Sequence, residues 1–171
     1  MKSFDRLAIG IHDVALSLPP ASNDSFQSLD FLGDLPVREA RAWLEGIPGI
    51  GPKTSAAVLS FSTLRKAALP VDSHHHRVAQ RTGLIPARLD VGPSHAVLEA
   101  QLPADWDAQA VYDNHEVLML HGQRVCFFKN PACDRCVLLD ICPTGQARMQ
   151  GRPLPRGPAE TSSRAGKGTL G

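Results

Sequence analysis

All four cysteines of the 171-residue chain fall in one short stretch, Cys126-x6-Cys133-x2-Cys136-x5-Cys142. Thiolates are soft ligands, and four of them this close in sequence can surround one metal centre. A disulfide framework belongs to small secreted chains, and the first residues carry no pattern of a secretory signal. Four-cysteine zinc sites are usually built on two C-x-x-C knuckles, whereas only Cys133 and Cys136 have that form here. An iron-sulfur cluster is therefore favoured and zinc stays open; the spacing also differs from the ferredoxin patterns of electron-transfer clusters.

A second constellation lies upstream. Gly46-Ile47-Pro48-Gly49-Ile50-Gly51 separates two short amphipathic segments, a helix-hairpin-helix pattern in which glycines let the backbone turn tightly and approach a partner. Amides at the start of the second helix, reinforced by its dipole, suit a phosphate oxygen, so the motif can grip a nucleic-acid backbone without reading sequence. A nucleotide phosphate loop needs Lys directly after the second glycine of G-x4-G, but Pro52 follows Gly51 and no strand precedes. A plain interhelical turn rarely needs three glycines and a proline in six residues.

Lys53 follows at the mouth of the second predicted helix. Most surface lysines are simply solvated. Near a helix N-terminus and partly withdrawn from water, however, an amine is more readily neutral and able to attack an electrophilic carbon. Asp72, nineteen residues later, can stabilise a developing cation or move a proton; it also stands where it would cap a helix, and the two roles are compatible. The triplet His74-His75-His76 invites a metal, but adjacent histidines on a helix point in different directions and cannot share one ion. His115 and His121 read as packing or hydrogen-bonding residues.

The elements that must position these residues are all helical. The spacing predicts helices over 3–17 (Phe4, Leu7, Ile11, Val14, Leu18), from Val37 to Leu44, from Pro52 or Lys53 to Thr63, from Ser73 to Thr82 with Gly83 closing it, from Ser94 to Leu102 and from Asp107 to His121. Leu69-Pro70-Val71 is an extended approach to Asp72. No convincing strand run or internal repeat appears, so the fold class is all-α. The predicted organisation is an N-terminal helix and linker (1–28), a helical domain (29–121), a cysteine segment (122–145) and a disordered basic tail (146–171), poor in large apolar residues and rich in Gly, Pro, Ser and Arg.

With 43% apolar residues the chain can bury one core or two small adjoining ones. No run approaches the length of a membrane helix, and cysteine thiolates suit a reducing, cytoplasmic compartment. The net charge of +1 leaves the partner open, because a duplex needs only a local basic face.

Leu44-x2-Ile47-Pro48-Gly49-Ile50-Gly51-Pro52-Lys53-Thr54, then Val71-Asp72-Ser73-His74-x2-Arg77-Val78, then His121-Gly122 and the four cysteines resemble the endonuclease III family of DNA glycosylases over about residues 29–144. The resemblance implies a helix-hairpin-helix glycosylase fold with a [4Fe-4S] cluster on Cys126, Cys133, Cys136 and Cys142. It implies base-excision repair: Lys53 as nucleophile and Asp72 as catalytic aspartate, removing a damaged, oxidised pyrimidine base and cutting the abasic site by β-elimination. Contacts to double-stranded DNA are expected from Ile47, Gly49, Gly51, Thr54, His74 and Lys129, in a monomer that is nucleoid-associated if bacterial. Family members carry a longer N-terminal region completing a helical barrel, so a shortened chain is expected here, either through a mis-set start or as a remnant. The alternative readings are a catalytically silent DNA-binding module and a zinc-stabilised DNA-binding domain.

Overall fold

The computed structural model describes residues 28–154; the helix expected over 3–17 and most of the expected tail lie outside them. Six α-helices follow in order: α1 (Val37–Glu45), α2 (Pro52–Phe61), α3 (Ser73–Thr82), α4 (Val91–Glu99), α5 (Ala108–Arg124) and α6 (Pro143–Met149), with short 3-10 turns at Asp30–Gly33, Cys133–Arg135 and Leu139–Ile141. Among the described residues there is no strand, in line with the all-α expectation.

Local chemistry sets most of these boundaries. Pro52 opens α2 at a first-turn position, where its missing N–H leaves no bond unmade. α3 starts where the Asp72 carboxylate accepts from the His75 amide at 2.7 Å. It ends where Gly83 turns left-handed (φ 85°) and the Leu84 amide reaches back to the Ala79 carbonyl at 3.0 Å. Asp107 caps α5 through the Ala110 amide at 2.8 Å. α4 begins three residues before the expected Ser94, because Gly92 and Pro93 fall in its first turn, where neither is costly.

α6 was not foreseen. Pro143 opens it, the Cys142 sulfur accepts from the Gly145 amide at 3.3 Å, and Ala147 is buried, so ordered structure runs past the expected boundary between 145 and 146.

Two adjoining cores result. Leu32, Ala40, Leu44, Ala56, Leu59 and Ala68 close the hairpin pair α1–α2, with Ile47 and Ile50 of the turn packed against them. Leu69, Val71, Ala79, Ile85, Leu98 and Val111 bind α3, α4 and α5 together. The extended run Leu69-Pro70-Val71 is buried and passes from one core to the other, delivering Asp72 to the start of α3. α3 and α5 pack closely: a Cβ on Gly122 would lie 2.8 Å from the His74 Cβ and 3.0 Å from its carbonyl oxygen, so only glycine permits the approach.

Candidate catalytic pair and cysteine centre

The hairpin turn needs a glycine at Gly49, whose φ of 92° is left-handed. Gly51 precedes α2 in extended conformation, and among the described residues no side chain caps that helix, which leaves its first-turn amides open there. Lys53 and Thr54 stand exposed on this first turn, while Ile47 is half-buried against the hairpin core and serves packing. The expected partial withdrawal of Lys53 from water is not found.

Asp72 is half-buried. Its Oδ1 caps α3, and its other carboxylate oxygen has no hydrogen-bond partner among the described residues. No ion pair joins it to Lys53; among the described residues the ion pairs are those of Arg41 with Glu45 and Glu99. His115 feels both candidate residues. Burial pushes its pKa down, the Asp72 carboxylate raises it, and the Lys53 ammonium adds to the lowering, so both charges lie within electrostatic reach of one ring. Phe61 covers that ring at 5.7 Å between centroids.

The histidine triplet points three ways. His74 Nδ1 accepts from Arg77 at 3.0 Å, His75 is buried against His115, and the His76 Nε2 donates to the Leu89 carbonyl at 2.8 Å. His74 is half-buried beside Gly122, while Lys129 is exposed in the first cysteine loop.

The four cysteines are unpaired by disulfide and line one open pocket walled by Val78, Val125, Leu138 and Leu139. Arg77 donates to the carbonyls of Cys126 (2.9 Å) and Gly122 (2.7 Å). One turn on, Arg81 donates to those of Phe127 (2.7 Å) and Phe128 (2.8 Å) and to the Cys126 sulfur (3.2 Å). Burial, and then the neighbouring thiols of Cys136 and Cys142, push the Cys133 thiol above its ordinary value. Among the described residues no three His, Cys, Asp or Glu side chains converge on a point that a single ion could fill. An all-sulfur donor set spread around a pocket, with N–H donors on two of its sulfurs, fits a multi-atom cluster.

Sequence reasoning missed Arg81, although its spacing from Arg77 on the predicted helix was a usable signal. It also missed Arg41, Glu99 and His95, which act through distant backbone and leave no local pattern.

No protein-family model matches the chain. It is 30% identical over 114 residues to endonuclease III of Sulfolobus acidocaldarius, covering 67% of this chain and 49% of that protein. It is 35% identical over 106 residues to endonuclease III of Escherichia coli K12 (62% and 47%) and 32% identical over 120 residues to that of Bacillus subtilis (70% and 51%). The chain thus spans about half the length of these curated relatives. Two solved structures share its fold. One is a trapped covalent endonuclease III-DNA intermediate (TM-score 0.55, 21% identity, 72% of both chains). The other is a non-covalent endonuclease III-DNA complex (TM-score 0.56, 19% identity, 85% of this chain and 78% of that one). By sequence over its hairpin-to-cysteine region, and by a fold that agrees, the chain belongs to the endonuclease III family.

Proposed function

We propose that the chain works in base-excision DNA repair as a glycosylase with abasic-site lyase activity on double-stranded DNA. What carries the reading is the exposed amine of Lys53 on the first turn of α2, directly after the hairpin, together with a half-buried Asp72 held at the start of α3 by its Oδ1 on the His75 amide.

The target nucleotide is flipped out, since its glycosidic carbon is unreachable inside the stack. The neutral Lys53 amine attacks the sugar C1′, the bond to the base breaks, and the base leaves with a proton. Ring opening gives a protonated Schiff base, which acidifies the C2′ hydrogen. Loss of that proton breaks the C3′–O bond and releases the 3′ strand as a phosphate. Asp72 keeps Oδ1 on the His75 amide and directs its other oxygen at the cationic sugar and the proton in transit. Hairpin amides, Thr54, His74 and Lys129 hold phosphates. Oxidised pyrimidines are the proposed substrates.

Cys126, Cys133, Cys136 and Cys142 would hold a [4Fe-4S] cluster. Its contribution is structural cross-linking of the segment between α5 and α6.

The test is borohydride trapping on abasic-site duplex. Wild type should give a covalent adduct and Lys53→Ala none. A well-folded, iron-loaded wild type that binds the duplex without an adduct would reduce the chain to a silent DNA-binding module.

A further inference from the structure

Arg41 and Glu99 join the two stretches of backbone that carry Lys53 and Asp72. Arg41, on α1, donates through Nη1 to both Glu99 carboxylate oxygens, at 2.5 and 2.6 Å, and through Nη2 to the Pro52 carbonyl at 3.3 Å. Glu99, on α4, accepts in turn from the Leu69 amide at 3.1 Å. Pro52 is the residue before Lys53, and Leu69 begins the buried run that ends at Asp72. Further along that run the Val71 amide donates to His95 Nε2 at 3.1 Å, and His95, also on α4, donates from Nδ1 to the Val91 carbonyl at 3.0 Å. α4 therefore holds the Asp72 approach at two points, and Arg41 ties that anchorage to the first turn of α2.

An ion pair kept for stability alone would need only its partner's charge. Here both side chains also contact backbone within three residues of a proposed functional group, and the pair is largely sheltered, with side-chain exposures of 13% and 25%. Nη1 serves both Glu99 oxygens while Nη2 of the same planar guanidinium serves the Pro52 carbonyl, so the rigid group fixes the direction between its two partners as well as their distance, which a single point charge does not. Nothing else among the described residues links Pro52 to Leu69 through side chains.

We propose that Arg41 and Glu99 are positioning residues for the lyase reaction, setting the separation between the Lys53 amine and the Asp72 carboxylate. The proposal rests on the reading of those two as the catalytic pair.

The experiment compares full-length wild type, Arg41→Lys, Glu99→Gln and the apolar double variant Arg41→Met/Glu99→Leu. Arg41→Lys keeps the charge but cannot serve Glu99 and Pro52 together; the double variant removes both charges at once and so leaves neither buried alone. Thermal melting, affinity for abasic-site duplex and the single-turnover rate of borohydride-trapped adduct at saturating DNA are measured together. Positioning predicts affinity within about threefold of wild type and adduct formation slowed about 10- to 100-fold, the scale expected when reacting groups shift by about an ångström. It predicts that loss even in whichever variant melts at the wild-type temperature. Wild-type rates at saturating DNA in the folded variants would overturn the positioning role while leaving the lyase reading intact. A wild type that forms no adduct overturns both.

Discussion

The Nδ1 atoms of His75 and His115 lie 3.5 Å apart, with the rings stacked at 24° and 5.7 Å between centroids. One ring must donate and the other accept, so the bond is lost once both rings carry a proton, which would set two N–H donors face to face. The contact joins α3 to α5 through the residue whose amide Asp72 caps.

Acid should therefore loosen the fold through this pair. Burial first, then the His115 charge, pushes His75 from 6.5 down to about 4, against the opposing pull of Asp72; burial lowers His115 and His95 as well. Below pH 6.5 the unfolded chain binds protons that the folded chain refuses. Stability is then complete above about pH 6.5 and falls as pH drops toward 4, with His75 alone contributing on the order of 3 kcal/mol. Urea midpoints from pH 7.5 to 4.5 should decline in wild type and flatten in His75→Leu; equal slopes in the two proteins would refute the assignment.

Asp72 combines a cap and a carboxylate, and the two separate by substitution. Asn caps a helix as well as Asp, so Asp72→Asn should melt close to wild type while its adduct rate falls by about 10²-fold. Asp72→Ala should lose the cap too, at about 0.5–2 kcal/mol. Thermal melts alongside trapping kinetics check both; equal destabilisation by Asn and Ala would mean that the hydrogen bond to His75 is not a cap.

α3 was readable in the sequence at both ends because Asp72 and Gly83 punctuate it locally. The hairpin was readable because glycine and proline at Gly46–Pro52 have few other uses. What escaped depends on long-range geometry. The Arg41–Glu99 contact joins residues 58 apart, and the inward direction of His75 is set by α5, which the triplet itself does not reveal. α6 was hidden because it is short, starts from a cysteine sulfur acting as cap, and draws its packing from the cysteine segment.

Gly122→Ala tests the α3–α5 approach. The added methyl would overlap His74 backbone and Cβ, neither of which can swing aside, so the helices must part and strain the Arg77 bond to the Gly122 carbonyl. A loss of about 1–3 kcal/mol in urea unfolding is expected. Wild-type stability would show that the two helices slide freely.

Arg81 decides whether the first cysteine loop is held from α3. Its guanidinium spans the Phe127 and Phe128 carbonyls and touches the Cys126 sulfur, while its own carbonyl oxygen lies 3.2 Å from the Cys142 sulfur, so one residue contacts both the first and the last cysteine. Phe128 is 75% exposed, and little apolar packing is left to hold the loop if those bonds go. Arg81→Ala should therefore keep the helical signal of the protein yet release iron to a chelator faster, by about tenfold or more, as expected for the loss of groups that orient metal ligands. Arg81→Lys can reach one carbonyl but not span both, so it should fall between. Visible absorbance during chelator challenge follows the release, and an Arg81→Ala protein as resistant as wild type would place the control of the loop elsewhere, in the Arg77 contact to the Cys126 carbonyl.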